Sequence, residues 1–145
     1  MLIVGLQISE NATLAQERGY ILPFHTVNGL ILLDAKVNGK RAVLLLDTGA
    51  IHSIVDKQSA GLGNLALHEL DSMGGIGAAG NCSAREVHFT LGGRDRTQLV
   101  CLLDLAVVSK RVGAHLDGFI GQDVLREFSA VRIDYKAHTV TLEMR

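Results

Sequence analysis

Three leucines, Leu44-Leu45-Leu46, run without a break into Asp47-Thr48-Gly49-Ala50. Successive side chains of a strand point to opposite faces, so a strand apolar for three residues in a row needs cover on both sides. The acid that ends the run then stands at the rim of a core, where an ionised carboxylate is costly to bury. One reading of Asp47-Thr48-Gly49 is a plain turn, since Asp and Gly are common turn formers. The other is a site that needs a carboxylate fixed at the end of a buried strand.

The chain can build such a core. Its 145 residues suit one domain, and 48% of them are hydrophobic with a single proline. The formal net charge is -1 and no run of Lys and Arg occurs. That argues against nucleic acid or an anionic membrane surface as partner. The apolar start, Met1 to Leu6, is too short to span a bilayer and lacks the basic start and cleavage site of a signal peptide. The compartment stays open: cytoplasm or, with an upstream signal trimmed, periplasm or export. Cys82 and Cys101 are the two cysteines. They are too few for a disulfide framework and do not form a C-x-x-C pair, so both are expected as small buried apolar residues. The six histidines show no ligand spacing such as H-E-x-x-H. No metal or cofactor is expected.

Turn signals divide the chain into short segments. Residues 1–19 form an arm or strand with no clear role, and a single domain is expected over 20–145. Tyr20 to His25 reads as extended. Asn28-Gly29 turns it into Leu30 to Val37, and Asn38-Gly39 turns that into Lys40 to Leu46. Asn-Gly between two apolar runs is the strongest short-range hairpin signal. Ile54 and Val55 continue the sheet, and Asp56 to Leu62 is expected as one or two helical turns. Leu65 to Leu70 extends again. Met73 to Gly80 is too glycine-rich for the interior of a strand or helix. Val87, Phe89 and Leu91 alternate with polar residues, and Gly92-Gly93 leads into a strand from Arg94 to Leu103. Leu105 to Ala114 has no decided period. Gly121 to Phe128 carries Val124, Leu125 and Phe128 on one helical face, the one good helical pattern in the chain. Val131 to Tyr135 and Thr139 to Met144 make a last hairpin. Many short strands with turns between them predict a mainly β barrel or sandwich.

One motif misleads. Gly75-Ile76-Gly77-Ala78-Ala79-Gly80 fits G-x-G-x-x-G, and Asp95 follows Gly75 by 20 residues. A dinucleotide fingerprint, however, closes an apolar strand and opens a helix. Here a polar stretch precedes it and an alternating strand follows.

Three stretches in order carry a resemblance. Leu44 to Ala50 looks like the active-site loop of the retropepsin-like aspartic proteases. Met73-Gly74-Gly75-Ile76-Gly77 resembles their glycine-rich flap, between two strands. Gly118-Phe119-Ile120-Gly121-Gln122-Asp123-Val124-Leu125 is similar to their apolar-apolar-glycine turn and the helix after it. The terminal hairpin around Ile133-Asp134-Tyr135 also looks like the family's last strands. The resemblance runs from about Leu30 to Met144, and is nearer to the single-lobe bacterial members than to the two-lobed pepsins. It implies a closed β-barrel of the retropepsin type with one short C-terminal helix, and a protease domain over 20–145.

What the resemblance implies for chemistry follows residue by residue. Two carboxylates about 3 Å apart share one proton, so one serves as base and the other as acid. The chain holds a single Asp-Thr-Gly; Asp104, Asp117, Asp123 and Asp134 lack the Thr-Gly that follows Asp47. The second acid is then Asp47 of another copy, which makes a twofold homodimer a consequence. Asp47 would be catalytic, with Thr48 and Gly49 in support. Gly49, Ala50, Ile51, Met73, Gly74, Gly75, Ile76 and Gly77 would meet an extended peptide, and Phe119 and Ile120 would pack beneath the loop. Viral members place an acid after D-T-G-A and an arginine after the apolar-apolar-glycine. This chain has Ile51 and Gln122, so that ion pair is missing. The function implied is an aspartic endopeptidase. The alternative is a module of the same fold that binds or scaffolds without cleaving.

Overall fold

The computed structural model describes residues 19–61 and 83–145. The arm 1–18 and the glycine-rich segment, including Met73 to Gly80, lie outside the described residues, as do the expected strand Leu65 to Leu70 and the G-x-G-x-x-G motif.

The strands are β1 (Gly19–Val27), β2 (Leu30–Val37), β3 (Lys40–Leu46), β4 (Ile54–Asp56), β5 (Ser83–Leu91), β6 (Arg94–Leu103), β7 (Gly118–Ile120), β8 (Ala130–Asp134) and β9 (Thr139–Glu143). The helices are α1 (Ala106–Val112) and α2 (Gln122–Leu125). Both Asn-Gly pairs turn as expected. Asn28 and Gly29 have φ of 52° and 80°, and Asn38 and Gly39 have 48° and 80°. Positive φ at both central residues matches the twist of the flanking strands, and Asn and Gly tolerate it best.

The pairings close a ring. β3 lies antiparallel to β2 and parallel to β7; β7 meets β4; β4 runs parallel to β6; β6 pairs with β5, and β5 returns to β2. These six strands form a closed barrel, the retropepsin type that the motifs implied. β1 leaves the ring beside β2 and carries β9 and β8 as a wing.

The barrel wall explains the leucine run. Leu44 is fully buried in the main core with Phe89, Leu102 and Ile120. Leu45 points the other way, into a second cluster with Leu32 and Leu116. α1 covers that outer cluster through Val108 and Val112, one turn apart on the same face. Each fully buried leucine contributes about 1.5–3 kcal/mol. Both faces of β3 therefore favour this one placement, and a slip of one residue would exchange the two clusters.

Two expectations need correction and one is narrowed. A single C-terminal helix was expected, but α1 is a second one and is the longer of the two. Val107 and Val108 are β-branched and weak helix formers, and of these two only Val108 packs on the outer cluster, so the segment shows no clear helical period. Of the one or two helical turns expected over Asp56 to Leu62, the described residues make one. Residues 57–61 make a single turn, in which Ala60 N donates to Asp56 O at 2.9 Å, and Gly61 ends it at a φ of 76°. Cys101 is disulfide-bonded rather than a free apolar thiol. A further expectation is half right. α2 has α-helical form over Gln122–Leu125, and then Glu127 N and Phe128 N bond three residues back, to Val124 O and Leu125 O. The tighter turn still buries Val124, Leu125 and Phe128 together.

Candidate active site

Asp47 follows the last residue of β3, and its N–H donates to Ile120 O at 3.0 Å. The register Leu46↔Ile120 thus carries on one residue past the strand. The chain then turns back on the acid. Gly49 N and Ala50 N donate to Asp47 Oδ1 at 2.9 and 3.2 Å, the local bonding that Asp favours in turns. Among the described residues Oδ2 accepts no hydrogen bond. Asp47 is half-buried, while Thr48 and Gly49 are exposed beside it. A Cβ on Gly49 would lie 3.3 Å from Asp47 Oδ1, crowding the carboxylate. The turn reading and the site reading were thus not exclusive: the turn is what presents the acid.

The loop 47–53 is held from beneath by the turn after β7. Gln122 N donates to Ala50 O at 2.8 Å and Asp123 N to Ile51 O at 3.1 Å. The Gln122 amide Nε2 donates to Thr48 O at 2.7 Å. Where the viral ion pair is missing, a neutral side chain bonds the loop backbone instead, and Ile51 is left exposed. The glycines of Gly118-Phe119-Ile120-Gly121 have steric reasons. A Cβ on Gly118 would stand 2.4 Å from Ile54 O, and one on Gly121 would stand 2.8 Å from the carbonyl of His52. Ile120 belongs to the main core and Phe119 packs on the outer cluster, so both are core as expected.

Two further polar groups were not found in the sequence. Ser53, fully buried, donates its hydroxyl to Asp123 Oδ1 at 2.6 Å and accepts Gly121 N at 2.9 Å. On the other flank of the barrel, Ser59 Oγ donates to Asp117 Oδ1 at 2.5 Å, and His115 Nε2 lies 2.9 Å from the same oxygen. Serine, aspartate and histidine meet here, but the acid stands in the middle. The histidine does not touch the hydroxyl, so the arrangement cannot activate a nucleophile as a triad does. In each group the serine meets its aspartate across tens of residues, which no local motif carries.

The remaining sequence candidates are not gathered at Asp47. Asp104 Oδ1 accepts Ala106 N at the start of α1, and Asp134 Oδ1 accepts Ala137 N in the last turn. Asp95 accepts the Thr90 hydroxyl at the β5–β6 turn, not a ribose. Among the described residues no group of three or more His, Cys, Asp or Glu is placed to hold a metal ion, and no helix is long and apolar enough to cross a membrane.

No family model matches the chain, and no curated protein matches it in sequence. Solved structures do match. A retropepsin-like aspartic protease from Rickettsia conorii is similar over 87% of this chain and 90% of its own, at 18% identity and a TM-score of 0.55. The retroviral protease-like domain of Ddi1 from Leishmania major is similar over 78% of this chain and 87% of its own, at 19% identity and a TM-score of 0.52. With the closed barrel and the loop seated on the β7 turn, the chain has the fold of the retropepsin-like aspartic proteases.

Proposed function

We propose that the chain is an aspartic endopeptidase that works as a homodimer, with Asp47 of each copy forming the catalytic pair. The observation that carries this reading is the Asp47 carboxylate. It stands at the end of a buried strand with Oδ1 fixed by two loop amides, and no donor among the described residues occupies Oδ2. A rigid acid with one open oxygen is what general acid–base chemistry needs.

In the pair, one carboxylate takes a proton from a water that attacks the scissile carbonyl. The other gives its proton to the carbonyl oxygen, and the leaving nitrogen is protonated as the tetrahedral species collapses. Thr48 bonds across the twofold axis beneath the acids. Gly49 lets the substrate backbone come close and offers its carbonyl, and Ala50 keeps the floor small. Ile51, exposed beside the loop, lines an apolar part of the cleft. Met73, Gly74, Gly75, Ile76 and Gly77 act as a flap that pairs with the extended peptide and excludes water.

Cleavage of a mixed peptide library across pH 3 to 8 tests this, with wild type and Asp47→Asn run side by side and products read by mass spectrometry. Cuts that vanish in the variant are expected. Because the pair must hold one proton, the rate should lean to acid pH; a flat profile from pH 4 to 8 contradicts the mechanism. A dimer by sedimentation that cuts nothing in either form would leave a binding or scaffolding module.

A further inference from the structure

We infer that Asp123, acting through Ser53, is the residue that positions Asp47, an inference that rests on the protease reading above. The sequence gives Asp123 no role beyond its place in the turn, and it lacks the Thr-Gly of a second catalytic acid. The structure gives it a ring of bonds around the base of the loop. Oδ2 accepts Ser53 N at 2.9 Å; Oδ1 accepts Ser53 Oγ at 2.6 Å and Val124 N at 2.9 Å. Ser53 Oγ in turn accepts Gly121 N.

Ser53 has one hydroxyl proton, and its direction is set. The oxygen already receives Gly121 N–H, so the proton goes to Asp123 Oδ1. The side chain is fully buried, so no water replaces a lost partner without rearrangement. Asp123 must accept on both oxygens. An asparagine has one acceptor oxygen, and its NH2 would face the N–H of Ser53 or the hydrogens at Oδ1. A carboxylate is therefore the group that fits this ring.

The ring matters because of what shares its backbone. Asp123 N holds Ile51 O, Gln122 N holds Ala50 O, and Ile120 O receives Asp47 N, so three backbone bonds join loop and turn between the acid and Ser53, beside the Gln122 side-chain bond to Thr48 O. β3 fixes one end of the loop at Leu46, and the Ser53–Asp123 ring fixes the other. Release of the far end lets the 47–53 loop settle elsewhere while the barrel stays closed. A shift of about 1 Å at a reacting group can lower a rate by roughly 100-fold.

The experiment is a double-mutant cycle of Asp123→Asn and Ser53→Ala, with kcat and KM measured at a temperature where circular dichroism shows each protein fully folded. Each single variant is expected to lower kcat by roughly 10- to 100-fold with KM within about threefold, and the double variant to fall no further than the worse single. Fully folded singles with wild-type kcat, or losses that multiply in the double, would overturn the inference. So would a failure of both singles to fold, because the pair would then be structural and nothing more.

Hydrogen exchange on the same proteins separates this failure from that of the protease reading, because it needs no cleavage. The Gly49 and Ala50 amides should exchange at least about tenfold faster in both variants, while the Leu32 and Leu45 amides of the β2–β3 pair stay as protected as in wild type. Unchanged exchange at 49 and 50 overturns the positioning role even if the protein cuts peptides. Faster exchange there in a protein that cuts nothing upholds the ring as the loop's anchor and removes the catalytic reading alone.

Discussion

Two sets of aspartates flank the barrel wall, and they are built for opposite ends. Asp56 and Asp117 are both buried. Asp56 Oδ1 accepts Leu105 N, and Oδ2 accepts Gln58 N and Ser59 N. Asp117 Oδ2 accepts Val43 N at 2.7 Å, and Oδ1 takes Ser59 Oγ and faces His115. Every carboxylate oxygen is occupied: Asp56 Oδ2 is held by its own turn, while Asp56 Oδ1 and both oxygens of Asp117 take donors 49 to 74 residues away. Asp47 is less buried and uses one oxygen, on donors two and three residues away. A saturated buried acid ties elements together and has nothing left with which to react. A half-saturated acid on a rigid loop can exchange a proton. Burial by itself would have chosen the wrong aspartates.

The comparison is sharpest in a pair of substitutions. Asp47→Asn is expected to lower cleavage by about 10,000-fold, the upper range for a lost acid–base group. Its melting temperature should stay the same or rise, because two like charges at the proposed dimer axis are relieved. Asp117→Ala should do the reverse. It leaves the part-buried Val43 N–H without its acceptor and the Ser59 hydroxyl with only the longer bond to Asp56 Oδ2 at 3.4 Å, for a loss of about 1–3 kcal/mol in urea unfolding. The kcat of its folded fraction should remain within about threefold of wild type. Equal stability losses in the two variants would remove the distinction between tying and reacting acids.

A smaller effect probes the wall between the two sets. Gly118 follows Asp117 and lies at the start of β7, whose far end carries Ile120 beneath Asp47. Gly118→Ala sets a methyl 2.4 Å from the Ile54 carbonyl, so β4 and β7 must part. Crowding of this kind costs roughly 1–3 kcal/mol. Calorimetry should show that loss, and kcat should fall less than in Asp123→Asn, because the strain enters at the end of β7 remote from the loop. A larger fall in kcat for Gly118→Ala would mean that the two ends of β7 are not separable.

The same contrast explains what could be read from the sequence. The Asp47 loop was legible because its bonds are local: a carboxylate with Gly49 and Ala50 right behind it leaves a four-letter trace. The hairpins were legible because Asn-Gly dictates the turn and the alternation of Val87, Phe89 and Leu91 dictates the face. Gly118 and Gly121 were legible as a pattern, though their cause, the carbonyls of Ile54 and His52, is visible only in three dimensions. α1 was not legible, because Val108 and Val112 are its only anchors on the outer cluster while Val107 is exposed. Ser53 and Ser59 were not legible either. A serine has no signature until its partner, 70 residues away for Ser53 and 58 for Ser59, is brought to it.

The smallest expected effect bears on how the loop is held from outside. Gln122 Nε2 reaches Thr48 O at an exposed position, whereas Ser53 and Asp123 hold the loop from within. Water can replace the Gln122 amide at Thr48, so Gln122→Ala should lose only about 0.5–1 kcal/mol, the net value of an ordinary hydrogen bond. Its backbone N–H still bonds Ala50 O, so Asp47 should keep its place and kcat should change by less than about threefold. The dimer is the more sensitive readout. Thr48 is the residue proposed to cross the twofold axis, and freeing its carbonyl loosens the segment that must meet its counterpart. A dissociation constant raised a few-fold by sedimentation, with kcat of the dimer unchanged, is the expected result. A fall in kcat as deep as that of Ser53→Ala would show that the outer bond positions the acid as firmly as the inner ring, and the inside–outside distinction would go with it.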